Sequence, residues 1–299
     1  MIQSLELYSS FAELTKYSSL SSAAKAMHIS QPALSAKVAG LERSLGVKLI
    51  FRTNRGFSLT GEGQALLEHL RAGFAQIESG ENRLREIAGL ESGLMRIGAS
   101  DMTLRFFLLD HLETFRKEHP GVKLAVTNAP TPQTLDALRS GLIDFGVISE
   151  PVDPSDSREL ELVPVKRIED IFVCSDRYSH LLGRRIGIDE LDAPLILLGR
   201  ETSTRRYIDS FFSPENLTAD IELATSDLLL EFARRGIGVA CIVGDFAAAD
   251  LESGRLSRVR LKNELPPRRF LLAYSKRIPL PSAAAQFIER VLKTVGPPD

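Results

Sequence analysis

The chain has 299 residues, 43% hydrophobic and 25% charged, which is the balance of an ordinary globular protein long enough for two or three compact units. No apolar run approaches the roughly 18 residues of a membrane span, and the N-terminal MIQSLELYSS lacks a basic start and apolar core, so neither a membrane segment nor a secretion signal is expected. The net charge of −2 conceals an asymmetry: residues 1–60 sum to +4 and the remainder to −6, a basic head on an acidic body that suits a polyanionic partner. Two cysteines, Cys174 and Cys241, fit a reducing, cytoplasmic setting without a disulfide framework.

In chain order, Leu7, Phe11 and Leu14 mark the apolar stripe of an opening helix. Ala23, Ala24 and Met27 give the face of a second helix, from Ser21 to His28. Leu34, Val38, Leu41 and Leu45 give a third. Ser30 is placed to cap this third helix, Gln31 and Pro32 to form its first turn, and Gly46 to end it. Two short helices joined by about three residues make a helix-turn-helix, whose second helix enters the DNA major groove by its N-terminal end. A Gln amide pairs with both N6 and N7 of adenine, so Gln31 is a candidate base reader. Ser35 and Lys37 lie a turn further on, at groove-facing positions. The following KLIFRTNRGFSLT reads as a two-stranded wing turning at Asn54-Arg55-Gly56, with Arg52 and Arg55 reaching phosphates or the minor groove.

Residues 61–90 read as one long helix capped by Thr60, with Glu62 in the first turn. Leu66, Leu70, Phe74, Ile77, Leu84 and Ile87 recur nearly every 3.5 residues, the seam of a helix that pairs with another. Gly73 and Gly80 each cost about 1 kcal/mol inside a helix and imply close approach or a kink. The helix should end near Gly89, with residues 91–93 as a hinge.

From Leu94 the pattern alternates between strand and helix. LMRIGA, VKLAVT and IDFGVIS read as strands, separated by a helix bearing Leu104, Leu108, Leu112 and Phe115 and by another capped by Thr131 and running to Ser140. A second series follows: DIFVCS, LILLG, a helix after Ser203, IELATS, a helix to Arg235, and GVACIV. RRFLLAYS reads as a return strand and residues 283–293 as a closing helix. Such alternation implies right-handed crossovers and parallel sheets. Ligands of open sheets bind beyond the carboxyl ends of strands, where helix N-termini gather. Ser100, Thr103, Thr131, Ser149, Ser203 and Thr204 fall there, though each hydroxyl is equally suited to capping a helix. Asp101, beside them, disfavours a carboxylate ligand unless it points away.

The string AAKAMHISQPALSAKVAGLERSLGVKL, followed by RTNRGFSLTGEG, resembles the LysR-type transcriptional regulators. The likeness continues through MRIGAS, HPGVKL, LDALRSGLIDFGVI, STRRY and RRGIGVACIV, so it spans nearly the whole chain. It implies a winged helix-turn-helix over 1–60, a dimerising linker helix over 61–90, and over 91–299 a periplasmic-binding-protein-like effector domain. That domain would comprise two α/β subdomains, about 94–165 with 267–299, and about 166–266. By the same resemblance the protein is a homo-oligomer, dimer or tetramer, that binds promoter DNA and senses a small metabolite, often anionic, between two halves of its body. Where members usually carry basic residues this chain has Ala36 and Gly40, and where they carry an acid it has Phe51, which shifts expected backbone contact to the wing arginines and the helix N-terminus.

Enzyme signatures are missing: no G-x-S-x-G, H-E-x-x-H, P-loop or G-x-G-x-x-G occurs, and the His and Cys residues lack metal-ligand spacing. No cofactor or metal is expected. Cys174 and Cys241 sit in apolar strand patterns and read as inert small hydrophobes. The alternative is a solute-binding or enzymatic α/β domain whose basic head serves another purpose.

Overall fold

Three helices and a hairpin open the chain: α1 (Leu5–Leu14), α2 (Leu20–Ala26), α3 (Gln31–Leu45), β1 (Ile50–Thr53) and β2 (Gly56–Leu59). The computed structural model describes residues 4–53, 56–87, 93–212 and 217–296. Phe11, Leu14, Ala23, Leu34, Val38, Leu41 and Leu49 are buried together, so the expected apolar stripes of the three helices share one core. Each such side chain contributes about 1.5–3 kcal/mol on burial. Ser19 begins α2 with a reciprocal capping box to Ser22, Ser30 accepts the Ala33 amide at 3.3 Å, and Gly46 closes α3.

Helix α4 (Gly61–Ile87) starts where expected, with the Thr60 hydroxyl accepting the Gly63 amide at 2.9 Å. Its Leu67 is buried in the same core, and Leu66 and Leu70 pack against it. The chain divides into two compact units, Met1–Glu81 and Asn82–Asp299, so most of α4 belongs to the first. Further along, Phe74 is half-buried, while Ile77 and Leu84 are 48% and 68% exposed. The expected helix end near Gly89 and the hinge residues 91 and 92 lie outside the described residues.

Two sheets build the second unit. The first holds β3 (Leu94–Ala99), β4 (Lys123–Asn128), β5 (Phe145–Ser149), β6 (Leu160–Ile168) and β13 (Arg268–Ser275), in the order β4-β3-β5-β13-β6. β3, β4 and β5 are parallel and β13 returns antiparallel between β5 and β6. The second holds β7 (Asp170–Cys174), β8 (Arg185–Ile186), β9 (Leu195–Leu198), β10 (Ile221–Leu223), β11 (Val239–Val243) and β12 (Ser257–Leu261), in the order β10-β9-β11-β7-β12-β8. Short helices α5 (Asp101–Thr103) and α6 (Leu109–Glu118) flank a π-helical turn at Leu104–Leu108, where one continuous helix was expected. Helices α7 (Thr131–Arg139), α8 (Asp156–Glu159), α9 (Ser203–Phe211), α10 (Ser226–Arg234), α11 (Gly244–Glu252) and α12 (Ser282–Val295) complete the unit.

The second sheet departs from the expected parallel series. β7 runs antiparallel to both β11 and β12, whereas β9, β10 and β11 are mutually parallel. The reason lies in the connections. Only Glu169 separates β6 from β7, so the chain enters the second sheet directly from the first, and no long crossover helix reverses it. β6 itself was not anticipated, because Pro164, Lys166 and Arg167 disrupt the alternation of LELVPVKRI. It is an edge strand, where proline is tolerated, and the pairing shifts register at Phe270/Leu271, opposite Pro164. Among the described residues, no helix is long and apolar enough to cross a membrane.

The chain passes between the sheets twice, at β6–β7 and again between β12 and β13. Arg268 and Asp170 pair at this joint, fully buried, with Nη2 2.8 Å from Oδ1 and Nε 2.5 Å from Oδ2. Arg268 also donates to the Glu150 carbonyl and to the Thr204 hydroxyl, each at 2.8 Å, and lies over the Tyr207 ring. A bidentate arginine with four of its five N–H donors engaged is an arrangement that makes a buried charge tolerable.

Candidate DNA-reading surface and effector cleft

The leading end of α3 projects from the first unit. Gln31 and Pro32 are exposed, Ser35 is half-buried, and the next inward positions, Leu34 and Val38, are buried. Helical periodicity thus turns one side of α3 to the core and leaves its first turn free. Lys37 falls on the flank towards α1 and pairs with Glu6, Nζ to Oε1 at 2.6 Å. The Lys37 ammonium holds the Glu6 carboxyl below its ordinary range. His28 occupies the turn before α3 in the left-handed region, φ 54°, a conformation to which histidine is better suited than most residues.

The wing pairs Ile50 with Leu59 and Thr53 with Gly56, the expected antiparallel hairpin. Arg52 stands in β1 opposite Phe57. Its side chain, like Asn54 and Arg55 as a whole, lies outside what the structure describes. Two glycines lock the wing in place. A Cβ on Gly56, at φ 141°, would stand 2.3 Å from the Ser18 carbonyl oxygen, and one on Gly63 would stand 2.1 Å from that of Leu49. The first brings the wing against the segment before α2; the second brings the start of α4 against the wing.

Glu42 was not singled out from sequence, where it is one acid among several. It is buried at the far end of α3 and accepts from the Lys48 ammonium at 2.6 Å and the Leu49 amide at 3.0 Å, with a longer contact to the Ile50 amide. Burial pushes its carboxyl up, but these hydrogen bonds outweigh burial and hold it below its ordinary range. The carboxylate therefore fixes the first strand of the wing to the third helix. The only advance signal was its spacing, seven residues before Leu49.

In the second unit, a cleft of about 290 Å³ opens between the two sheets and gathers Ser100, Thr103, Thr131, Ser149, Ser203 and Thr204, all six expected positions. Their uses differ. Ser100 begins α5, accepting the Thr103 amide at 3.2 Å, and Thr103 returns its hydroxyl to the Ser100 carbonyl. Thr131 is not the cap of α7: Pro130 occupies that position without a side-chain hydrogen bond. Instead the Thr131 hydroxyl accepts the Ser149 amide at 3.2 Å and donates to Ser203 Oγ at 3.3 Å, joining the two walls. Likewise Thr202, not Ser203, caps α9, and Thr204 is held by Arg268. Sequence missed Thr225 and Ser226, at the start of α10, and Glu201, which also line the cleft. Neither α7 nor α10 has a side-chain cap, so their first-turn amides face the cleft uncapped. Met102, Val147, Leu198, Val243, Phe246 and Phe270 supply its apolar lining.

Both cysteines are buried in the second sheet, and burial pushes the Cys174 thiol up to about 11 and that of Cys241 well above its ordinary value, the opposite of a reactive thiol.

Residues 5–64 match the family model described as bacterial regulatory helix-turn-helix protein, lysR family, and residues 88–296 match that of the LysR substrate binding domain. The HTH-type transcriptional regulator CbbR of Rhodospirillum rubrum is 25% identical over 250 residues, covering 82% of this chain and 81% of that protein. A probable RuBisCO transcriptional regulator of Trichormus variabilis is 23% identical over 283 residues, covering 93% of this chain and 84% of the relative. Among solved structures, CbnR, a LysR family transcriptional regulator, superposes with a TM-score of 0.70 at 19% identity, covering 98% of this chain and all 100% of its own. A full-length OxyR variant from Pseudomonas aeruginosa gives a TM-score of 0.65 at 19% identity, covering 99% of this chain and 95% of its own. The two family models follow one another along the chain, which leaves no room for the alternative of a solute-binding or enzymatic domain with an unrelated head.

Proposed function

The chain belongs to the LysR family of transcription regulators, oligomeric proteins that bind DNA and carry an effector-binding domain, and we propose how this member divides the work among its residues. The head, residues 1–60, reads DNA with Ser30, Gln31, Pro32 and Ser35 of α3 in the major groove, and with Arg52 and Arg55 of the wing on phosphates or in the minor groove. Lys37, tied to Glu6, adds charge at the flank rather than a base contact. Residues 61–90 pair two copies through Phe74, Ile77 and Leu84. Leu66 and Leu70 are shared between that seam and the head's own core. Residues 91–299 take a small effector in the cleft lined by the six hydroxyl residues. The protein works in the cytoplasm, in keeping with its reduced, buried cysteines.

One observation carries the DNA-reading assignment: the first turn of α3 is free of the protein's own core, while its cap and the wing beside it are fixed by Ser30 and Glu42. A dimer presenting two such turns reads half-sites about 34 Å apart or a multiple of that. Effector binding between the walls favours one arrangement of the body over another, and the coupling to DNA is a shift between these populations.

A gel-shift titration with Gln31→Ala tests the reading. The variant should lose about 1–3 kcal/mol at the specific promoter site and little on random DNA. An equal loss on both would remove Gln31 from base reading.

A further inference from the structure

We propose that the effector is a small zwitterion of the α-amino-acid type, with its carboxylate at the amino ends of α7 and α10 and its ammonium group between Asp101 and Glu201. The proposal rests on the cleft being the effector site, and it adds the ligand's chemistry.

Two largely buried serines present open hydroxyls to the cleft. Ser149 and Ser226 are only 9% and 6% exposed, line the cleft, and among the described residues have no hydrogen bond to their Oγ atoms. Both hydroxyls are reached from the cleft and are not engaged by the protein, so they are available to a ligand's oxygens. They stand beside the uncapped first turns of α7 and α10, whose amides and positive dipole ends favour an anionic group.

The rest of the lining argues against a simple anion. No Lys, Arg or His is among the described residues of the cleft. Two carboxylates are, one on each wall: Asp101 at the start of α5 and Glu201 ahead of α9. Neither has an ion pair or a side-chain hydrogen bond among the described residues. A carboxylic acid lacking an amine would satisfy the hydroxyls and the helix ends but face two uncompensated negative charges. A simple amine would satisfy the carboxylates and leave the hydroxyls and amides unmet. A molecule bearing both groups meets both demands, and Leu198, Val243, Phe246 and Phe270 offer an apolar bed for its side chain. At about 290 Å³ the cavity is at the small end of ligand pockets, which suits a single amino acid rather than a peptide. Because Asp101 and Glu201 come from opposite walls, an ammonium between them also draws the walls together.

The test uses the full chain and three matched probe sets in thermal-shift and calorimetric titrations. These are the protein amino acids, the corresponding carboxylic acids without the amine, and the corresponding amines without the carboxylate. At least one amino acid should raise the melting temperature of the body while its deaminated and decarboxylated counterparts do not. Asp101→Asn and Glu201→Gln should each weaken that binding about tenfold through loss of a charge-assisted contact, and Ser226→Ala should weaken it at the carboxylate end. An acid lacking the amine that binds the wild type and loses affinity in Ser226→Ala would overturn the zwitterion and leave the cleft as the effector site. Silence of all three sets would also overturn the zwitterion. An amino acid whose binding is untouched by all three variants would overturn the cleft as the site.

Discussion

In the first unit, Gln31 and Pro32, two of the residues assigned to DNA, are exposed, while Ser30, Glu42 and Thr60 do the holding. In the second, several of the residues lining the cleft are themselves framework. Thr131 joins two walls, Ser100 begins a helix, and Thr204 is fastened to the joint by Arg268. The difference follows from what is bound. A duplex is larger than the head and is met by an exposed helix turn, so reading residues need only be presented. A small molecule must be enclosed, and enclosing walls are made of the same strand ends and helix starts that hold the sheets together. Substitution of Gln31 should therefore separate stability from binding, whereas at Ser100, Thr131 and Thr204 the two should move together.

The largest break in that contrast is expected at the joint. Asp170→Ala leaves the Arg268 guanidinium buried and unpaired, and should lower the stability of the body by about 3–5 kcal/mol. Calorimetry should show the transition of the second unit shifted down and that of the first unchanged; a shift of both would erase the separation. Leu67→Ala should do the converse, costing the head about 2–5 kcal/mol through loss of a core contact, with ligand binding by the body intact. Glu42→Gln should cost the head about 1–3 kcal/mol at neutral pH, because three donors then meet a neutral amide. The same variant gives a pH signature. Since the folded Glu42 carboxyl lies below its ordinary range, its contribution is complete above the ordinary glutamate range and is lost as pH falls through the lowered value. Urea unfolding at a series of pH values should thus show wild type losing its advantage over Glu42→Gln on acidification. Parallel curves would remove the carboxylate's role. The smallest effect is expected at Ser30→Ala, about 0.5–2 kcal/mol for a helix cap. Specific DNA affinity should fall further than stability alone accounts for, since the same cap aims Gln31.

The head was almost entirely legible in the sequence. Helix periods, the Ser30 and Thr60 caps, Gly46 and the hairpin all recur in the structure, because each is set by residues close along the chain. The body was legible in its element order but not in its strand directions or its site chemistry. β6 was hidden by Pro164 and its charged neighbours, and β7 was given the wrong direction because pairing across the second sheet depends on where the chain enters it. The six expected cleft residues do converge, yet the cap position expected for Thr131 is occupied by Pro130, and Thr202 rather than Ser203 caps α9. Glu201 and Ser226 carried no sequence signal, since their meaning comes from what the opposite wall lacks. The seam of α4 was read as continuous. In the structure Leu66 and Leu70 are partly taken up by the head, and Ile77 and Leu84 remain on the surface.

The bidentate pair at the two chain crossings, Arg268 with Asp170, lies beyond the reach of counterions. Phosphate contacts made from an exposed head are the reverse case and weaken steeply as electrolyte rises. Changes in ionic strength should therefore loosen the protein's hold on DNA without weakening the buried pair where the chain crosses between the two sheets, and the two sensitivities are free to evolve apart.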